Sequence, residues 1–309
     1  MIEVEDLKKT YGSVVALDGV SFRVPDGSIY GLLGPNGAGK STTIAILAGL
    51  TRATGGRALV GGHDVQTDAQ NAKRALGYVP QEVVLYEELN ARENLEFFGG
   101  LYGLRGGALR ERVDGLLATI DLGEHAKRPA ETYSGGMKRR LNLACGLVHR
   151  PRVVLLDEPT VGIDPQARLH ILEMVRTIAR EGTTILYTTH YLHEAEDLCE
   201  RVAIIDHGRI LAEGTLTELR AAVGERDLVT VRGRFEATAV QALVARLDGA
   251  AEILSVKEDE LLLACSSGGD VFGRLVRSFG ELGDPREISL RQPSLENLFI
   301  KLTGRELRE

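Results

Sequence analysis

Hydrophobic and polar positions follow two different rhythms along the chain. Ile2-Glu3-Val4-Glu5 and Val20-Ser21-Phe22-Arg23-Val24 alternate, which predicts half-buried strands, the second closed by Pro25-Asp26-Gly27. Three nearly unbroken apolar runs, at 28–33, 153–156 and 183–189, predict strands buried on both faces, as parallel sheets require. Shorter strands are expected over Gly55–Gly62 and Leu76–Gln81, and a hairpin over Ala203–Ile210. Between them lie helical stretches: Thr42–Leu50, Asn94–Phe98 with Asn90 as its cap, Leu109–Ile120, Lys138–Ala144 and Gln166–Arg180. This mixture predicts an α/β core, with a helical subdomain at residues about 85–150.

The pattern restarts after a polar connector, Arg220–Asp227. Strands are expected at Leu228–Val231, Glu252–Val256, Glu260–Ala264 and Glu287–Leu290, with helices at Ala237–Leu247 and Val271–Phe279. That βαββαβ order is the one a small α+β ferredoxin-like module needs. A last helix carries Leu295, Leu298, Phe299 and Leu302 at one-face spacing suited to docking. Two domains follow, 1–220 and 225–309.

Chemistry enters where the first fully buried strand ends. Gly34-Pro35-Asn36-Gly37-Ala38-Gly39-Lys40-Ser41, followed by Thr42, fits the phosphate-binding loop pattern Gly-x4-Gly-Lys-Ser between a predicted strand and helix. Glycines let successive N–H groups turn inward around an anion, and the helix adds its positive end. Lys40 would reach the β- and γ-phosphates of a nucleoside triphosphate, and the Ser41 hydroxyl would hold Mg²⁺. A second carboxylate-rich strand end, Val153-Val154-Leu155-Leu156-Asp157-Glu158, supplies the complement. Asp157 is placed to hold Mg²⁺ through its water shell, and Glu158 to polarise the attacking water.

Four further positions carry weaker signals. Tyr133-Ser134-Gly135-Gly136-Met137 repeats the physics of the first loop, with small residues at a helix start; alone it reads as an N-capped helix. Gln81, at a strand end, offers an amide oxygen to Mg²⁺ and water, although in isolation it is a turn residue. His190, also at a strand end, can hydrogen-bond a γ-phosphate. Tyr11 offers a ring for a nucleotide base, and alone is more often filler.

Bulk properties narrow the setting. The chain has 309 residues and a formal charge of −7, against a nucleic-acid-coating surface. Cys145, Cys199 and Cys265 are scattered, without a disulfide framework or metal-ligand spacing, which fits a reducing cytoplasm. No apolar stretch approaches the roughly 18–20 residues of a membrane helix, and the acidic N-terminus lacks a signal-peptide core.

Taken in order, Tyr11, the loop at 34–41, Gln81, Ser134-Gly135-Gly136, Asp157-Glu158, Asp164 and His190 strongly resemble the ATP-binding-cassette (ABC) ATPase family over essentially all of residues 1–220. The resemblance implies a P-loop NTPase fold, ATP and Mg²⁺ as ligands, and named roles. Tyr11 becomes the base-stacking aromatic, Gln81 the Q-loop, 133–137 the signature, Asp164 the D-loop and His190 the switch. The usual signature is Leu-Ser-Gly-Gly-Gln; here its ends are Tyr133 and Met137, and the lost glutamine bears on ribose contacts. One chain with two anion nests but one Asp-Glu pair suggests that each ATP uses the loop of one copy and Ser134 of another, in a head-to-tail dimer. The tail, from Pro293-Ser294-Leu295-Glu296-Asn297-Leu298-Phe299 to Leu302-Thr303-Gly304, resembles the accessory domain of ABC-2-type exporter ATPases, drug-resistance members included. An exporter subunit docked on a separate transmembrane permease, at the cytoplasmic face of the membrane, is thus expected. The alternative is a soluble ABC ATPase acting on ribosomes or nucleic acid; a GTPase switch lacks its Asn-Lys-x-Asp base-reading motif.

Overall fold

In the computed structural model the described residues are 1–223, 227–234, 251–256, 260–265, 269–282 and 284–291, with Val244, Leu295, Leu298, Phe299 and Leu302. They divide into two units, Met1–Leu216 and Thr217–Glu306. In the first unit, β1 (Ile2–Tyr11), β2 (Val14–Val24), β4 (Gly55–Val60) and β5 (His63–Asp64) form an antiparallel sheet in the order β2-β1-β4-β5. A six-stranded sheet takes β3 (Ile29–Leu33), β6 (Leu76–Val79), β7 (Val153–Asp157), β8 (Thr184–Thr189), β9 (Arg201–Asp206) and β10 (Arg209–Thr215). Its order is β10-β9-β3-β8-β7-β6, parallel throughout except for the β9–β10 hairpin.

Every residue of β3, β7 and β8 is buried, which is why these strands read as unbroken apolar runs. At the end of β2 only alternate residues, Val20, Phe22 and Val24, point inward. They join Tyr30, Leu32, Ile44 and Leu47 in one core around α1 (Lys40–Leu47). After α2 (Ala69–Ala75) and β6 the chain enters a helical layer, α3 (Ala91–Leu101), α4 (Gly106–Thr119) and α5 (Gly135–Leu147). Asn90 caps α3 reciprocally: its side chain accepts from Glu93 N at 3.0 Å, and Glu93 accepts from Asn90 N at 2.9 Å. The buried Asn94 then bonds the backbone of Tyr86, Leu89 and Asn90, fixing the segment that leads into the layer. The unit continues through α6 (Pro165–Arg180) and α7 (Leu192–Leu198).

Three expectations need correction. β1 and β2 extend well beyond their alternating stretches, because irregularities after Val4, Leu7 and Lys9 shift the side-chain phase while pairing continues. α1 starts at Lys40 rather than Thr42. The connector expected from Arg220 begins inside α8 (Leu216–Val223), whose Leu219 is buried; its leucines and alanines are good helix formers, and its charges disguised it.

The second unit holds β11 (Asp227–Arg234), β12 (Ala251–Val256), β13 (Glu260–Cys265) and β14 (Asp284–Arg291), antiparallel in the order β12-β13-β11-β14. With α9 (Gly269–Leu282) placed between β13 and β14 in the chain, this is the ferredoxin-like strand order. Val229, Val231, Leu261, Leu263, Leu275 and Phe279 form its core. The expected helix Ala237–Leu247 lies outside the described residues except at Val244. In the last expected helix Leu295, Leu298 and Phe299 are buried, whereas Leu302 is 40% exposed.

Where β6 crosses α5, Gly77 has no room for a side chain: an added Cβ would meet Gly146 O at 2.3 Å and Pro151 Cγ at 2.9 Å. Gly77→Ala is expected to destabilise the chain by about 1–3 kcal/mol in urea unfolding. Gly115→Ala, on the open face of α4 with nothing within 4 Å, is expected to cost nothing or to stabilise slightly.

Candidate nucleotide site

Strand register brings the predicted motifs to one edge. Leu33 pairs with Thr189 and Asp157 with Thr188, so β3, β8 and β7 end at the same level. Gly34, Glu158 and His190 therefore emerge side by side at the carboxyl end of the sheet, where ligands bind in open α/β folds. Between β3 and α1 the loop closes through Gly39, at φ 112° and with Leu17 Cδ2 only 2.7 Å from where a Cβ would sit. Only glycine satisfies both conditions. Ala38 O accepts from Gly208 N at 2.9 Å, tying the loop to the β9–β10 turn.

Lys40, 3% exposed, is the centre of the cluster. Its Nζ donates to Gly34 O at 2.7 Å and Pro35 O at 3.1 Å, and pairs with Glu158 Oε1 at 2.9 Å. Glu158 Oε2 meets His190 Nδ1 at 3.0 Å. Ser41 Oγ donates to Asp157 Oδ1 at 3.3 Å, and Thr188 Oγ1 donates to the same oxygen at 2.8 Å. Lys40, Ser41, Asp157, Glu158 and His190 thus form one connected assembly.

The two carboxylates differ sharply in character. Burial pushes Asp157 up, and the hydroxyl bonds from Thr188 and Ser41 only partly oppose it. Burial also works to raise Glu158, but hydrogen bonds from His190 and Lys40, with their charges, hold it at about 2. The backbone of Glu158 is unusual as well, with φ 45° in the left-handed region that side chains disfavour. Its N–H donates to Thr188 Oγ1 at 3.0 Å and Thr188 O at 3.2 Å, and its carbonyl accepts from Arg139 Nη2 at 2.6 Å.

Other predicted residues stand apart from this assembly. Asn36 and Gly37 are exposed at the loop tip, Pro35 and Thr42 partly so. Gln81 lies just past β6, exposed, with its backbone carbonyl bonded by Arg139. Tyr11 ends β1, 48% exposed, with Lys9 Nζ 4.6 Å from the ring centroid. Ser134 caps α5, accepting from Met137 N at 3.3 Å. A Cβ added at Gly135 would meet nothing within 4 Å, so this nest opens outward. Gly136 packs on Ala167 of α6, the helix that Asp164 caps by accepting from Gln166 N and Ala167 N. Among the described residues no hydrogen bond or ion pair joins Ser134–Gly136 to Gly34–Ser41.

Several participants carry little or no signal in the sequence. Thr188 bonds the carboxylate of Asp157 and the backbone N–H of Glu158, and the Thr188-Thr189 pair closing an apolar strand is the one signal that could have found it. Glu194, fully buried, accepts from Thr160 Oγ1 at 2.6 Å and from Tyr187 OH and Thr189 Oγ1, both at 2.9 Å. It joins the residues just before His190 to the loop that leads toward Asp164. Arg139, buried behind Glu158, gives no sequence signal.

The chemistry of the donor set fits a hard cation: a hydroxyl and a carboxylate, Ser41 and Asp157, already share a hydrogen bond. The loop, helix start and buried lysine fit a triphosphate.

Comparison with known proteins identifies the family. The ABC transporter family profile matches residues 17–161. The linearmycin resistance ATP-binding protein LnrL of Bacillus subtilis is 42% identical, over 100% of both chains. The daunorubicin/doxorubicin resistance ATP-binding protein DrrA of Streptomyces peucetius is 41% identical, covering 98% of this chain and 92% of that protein. The dimeric, post-hydrolysis structure of the ATP-binding cassette MJ0796 with ADP and Pi superposes with a TM-score of 0.64 at 26% identity, covering 70% of this chain and 99% of that one. The chain belongs to the ABC transporter family, as an ATP-binding cassette subunit. It is an ATPase.

Because the folded value of Glu158, about 2, lies below its ordinary 4.5, its ion pairs stabilise the fold fully above that ordinary value and are lost as pH falls toward 2. Urea midpoints measured from about pH 6 downward are expected to fall more steeply for wild type than for Glu158→Gln; parallel declines would contradict the pairing.

Proposed function

We propose that this chain is the energy-coupling subunit of an exporter, acting as a head-to-tail pair docked on a separate membrane-spanning permease. The observation that carries the paired arrangement is the split of its two anion nests. Gly34–Ser41 is built into the assembly with Asp157, Glu158 and His190, whereas Ser134-Gly135-Gly136 faces outward beyond it. A second copy related by a two-fold axis would bring its Ser134 nest to the γ-phosphate held by the first. Each ATP then joins two chains, and loss of the γ-phosphate releases them.

In this reading the loop 34–39 wraps the phosphates, Lys40 neutralises them, and Tyr11 stacks on the base. Ser41 and Asp157 hold Mg²⁺, with Gln81 reaching in; the ion neutralises phosphate charge. Glu158 accepts the proton of the attacking water, and His190 hydrogen-bonds the γ-phosphate. Lys40 and His190 both bond Glu158. A triphosphate offers them stronger anionic partners, and their departure frees the carboxylate and raises its affinity for a proton. Asp164, capping α6 beside Gly136, monitors the neighbouring copy.

The relatives named above confer resistance to linearmycin and to daunorubicin and doxorubicin, and the Nod factor export ATP-binding protein I of Ralstonia nicotianae is 38% identical over 100% of this chain. These names support export, with the cargo recognised by the permease. Among the described residues no helix is long and apolar enough to cross a membrane. The docking surface is the exposed aromatic and aliphatic group Val84, Tyr86, Phe97, Leu101 and Tyr102, on and flanking α3. Residues 217–306 form an accessory unit with no metal-holding cluster among its described residues, supporting the dimer or regulating it. Peripheral attachment at the cytoplasmic face follows from the permease.

Glu158→Gln removes the base while leaving the nests, so with ATP and Mg²⁺ it is expected to migrate as a dimer in sizing chromatography, and as a monomer without nucleotide. A monomer under both conditions would contradict the paired site.

A further inference from the structure

We propose that Arg139 is a positioning residue for hydrolysis, which fixes the backbone of Glu158 relative to Gln81 and so couples the docking segment to the base. The inference rests on the hydrolytic and docking reading above. Arg139 lies on α5, one turn past the Ser134 nest, and is 2% exposed. Among the described residues no carboxylate pairs with it. Its guanidinium instead spends its N–H groups on backbone carbonyls from two separate loops. Nε donates to Pro159 O at 2.5 Å and Nη2 to Glu158 O at 2.6 Å; Nη1 donates to Pro80 O at 3.2 Å and to Gln81 O. Burial pushes its pKa down, against the pull of Tyr187, Asp157 and Glu158, and a guanidinium keeps its charge under that pressure.

Two observations separate this from ordinary packing. Glu158 sits at φ 45°, a conformation that persists only when its surroundings over-determine it. Thr188 fixes the N–H side of that residue. On the carbonyl side Val161 N donates at 3.3 Å from within the same turn, so Arg139 is the tie that anchors this oxygen to another element. The second observation is that α5 holds the segment after Gln81 at two more points. Asn142 Oδ1 accepts from Val84 N at 3.0 Å, and Lys138 pairs with Glu87 at 2.6 Å. That segment carries Tyr86, whose ring contacts Phe97 at 4.6 Å in the exposed aromatic group. Of the three ties from α5, only Arg139 continues to the Glu158 loop. A displacement of Val84–Glu87 by a docked partner would therefore be felt at the backbone of the base through this guanidinium. A planar fork spans both loops; a point-charged ammonium does not.

The test uses the full chain and steady-state ATP hydrolysis. Arg139→Gln is expected to lower kcat about 100-fold, the scale of a misplaced reacting group, with KM changed less than about threefold. Arg139→Lys should fall between it and wild type. In single-turnover measurements on the Glu158→Gln background, adding Arg139→Gln should change the rate less than about threefold, because the two changes act through one group. Lys138→Ala, which cuts a tie to the docking segment but not to Glu158, is expected to retain the wild-type kcat. If Arg139→Gln does not fold, Arg139→Lys carries the same comparison. Undiminished kcat in a folded variant, or an equal fall on both backgrounds, overturns the inference. Absence of hydrolysis by wild type would overturn the functional reading itself, a distinguishable outcome.

Discussion

Lys40 and Glu158 meet at 2.9 Å, both nearly sealed from water, and the remainder of the site is arranged around that contact. A buried ion pair repays its desolvation only when further hydrogen bonds complete both partners. Here Gly34 and Pro35 carbonyls complete the lysine, and His190 completes the glutamate. The pair joins two loops from opposite sides of β8, the strand that separates β3 from β7 in the sheet. In the proposed function a polyphosphate competes with Glu158 directly for the lysine. Binding and release of the catalytic carboxylate are, in this account, one exchange of partners.

A second constraint is backbone rather than side chain. Glu158 turns into the left-handed region immediately after a strand that is buried throughout. That turn aims its carboxylate at Lys40 and His190 while the neighbouring Asp157 faces Ser41 and Thr188. Adjacent carboxylates thereby acquire opposite characters, one held at about 2 and the other pushed up by burial. The supports come from β8 through Thr188 and from α5 through Arg139, so sheet and helical layer both bear on one residue.

Much of this was legible in the chain. The apolar runs before Gly34, Asp157 and His190 announce strands covered on both faces, and their chemistry falls at their carboxyl ends because parallel strands share a direction. Motif spacing could not reveal that Lys40 pairs with Glu158, because that contact depends on the strand order β3-β8-β7. Arg139 was invisible for a different reason: its partners are backbone carbonyls, which leave no residue-type signature. Glu194 carries no sequence signal, and only the fold shows three hydroxyls converging on it. The β1 and β2 extensions were hidden by bulges that break the alternation on which strand reading depends.

In the proposed pair a working site combines Gly34–Ser41 of one copy with Ser134–Gly136 of another. Mixing two inactive chains, one carrying Lys40→Ala and the other Ser134→Arg, tests it most directly. In a mixed head-to-tail pair both lesions fall in one site and the other site is wild type. With random pairing and independent sites, ATPase activity should return to about a quarter of the wild-type level, since half of the pairs are mixed and each has one intact site. A mixture as inactive as its components, with mixed pairs present, would contradict the account.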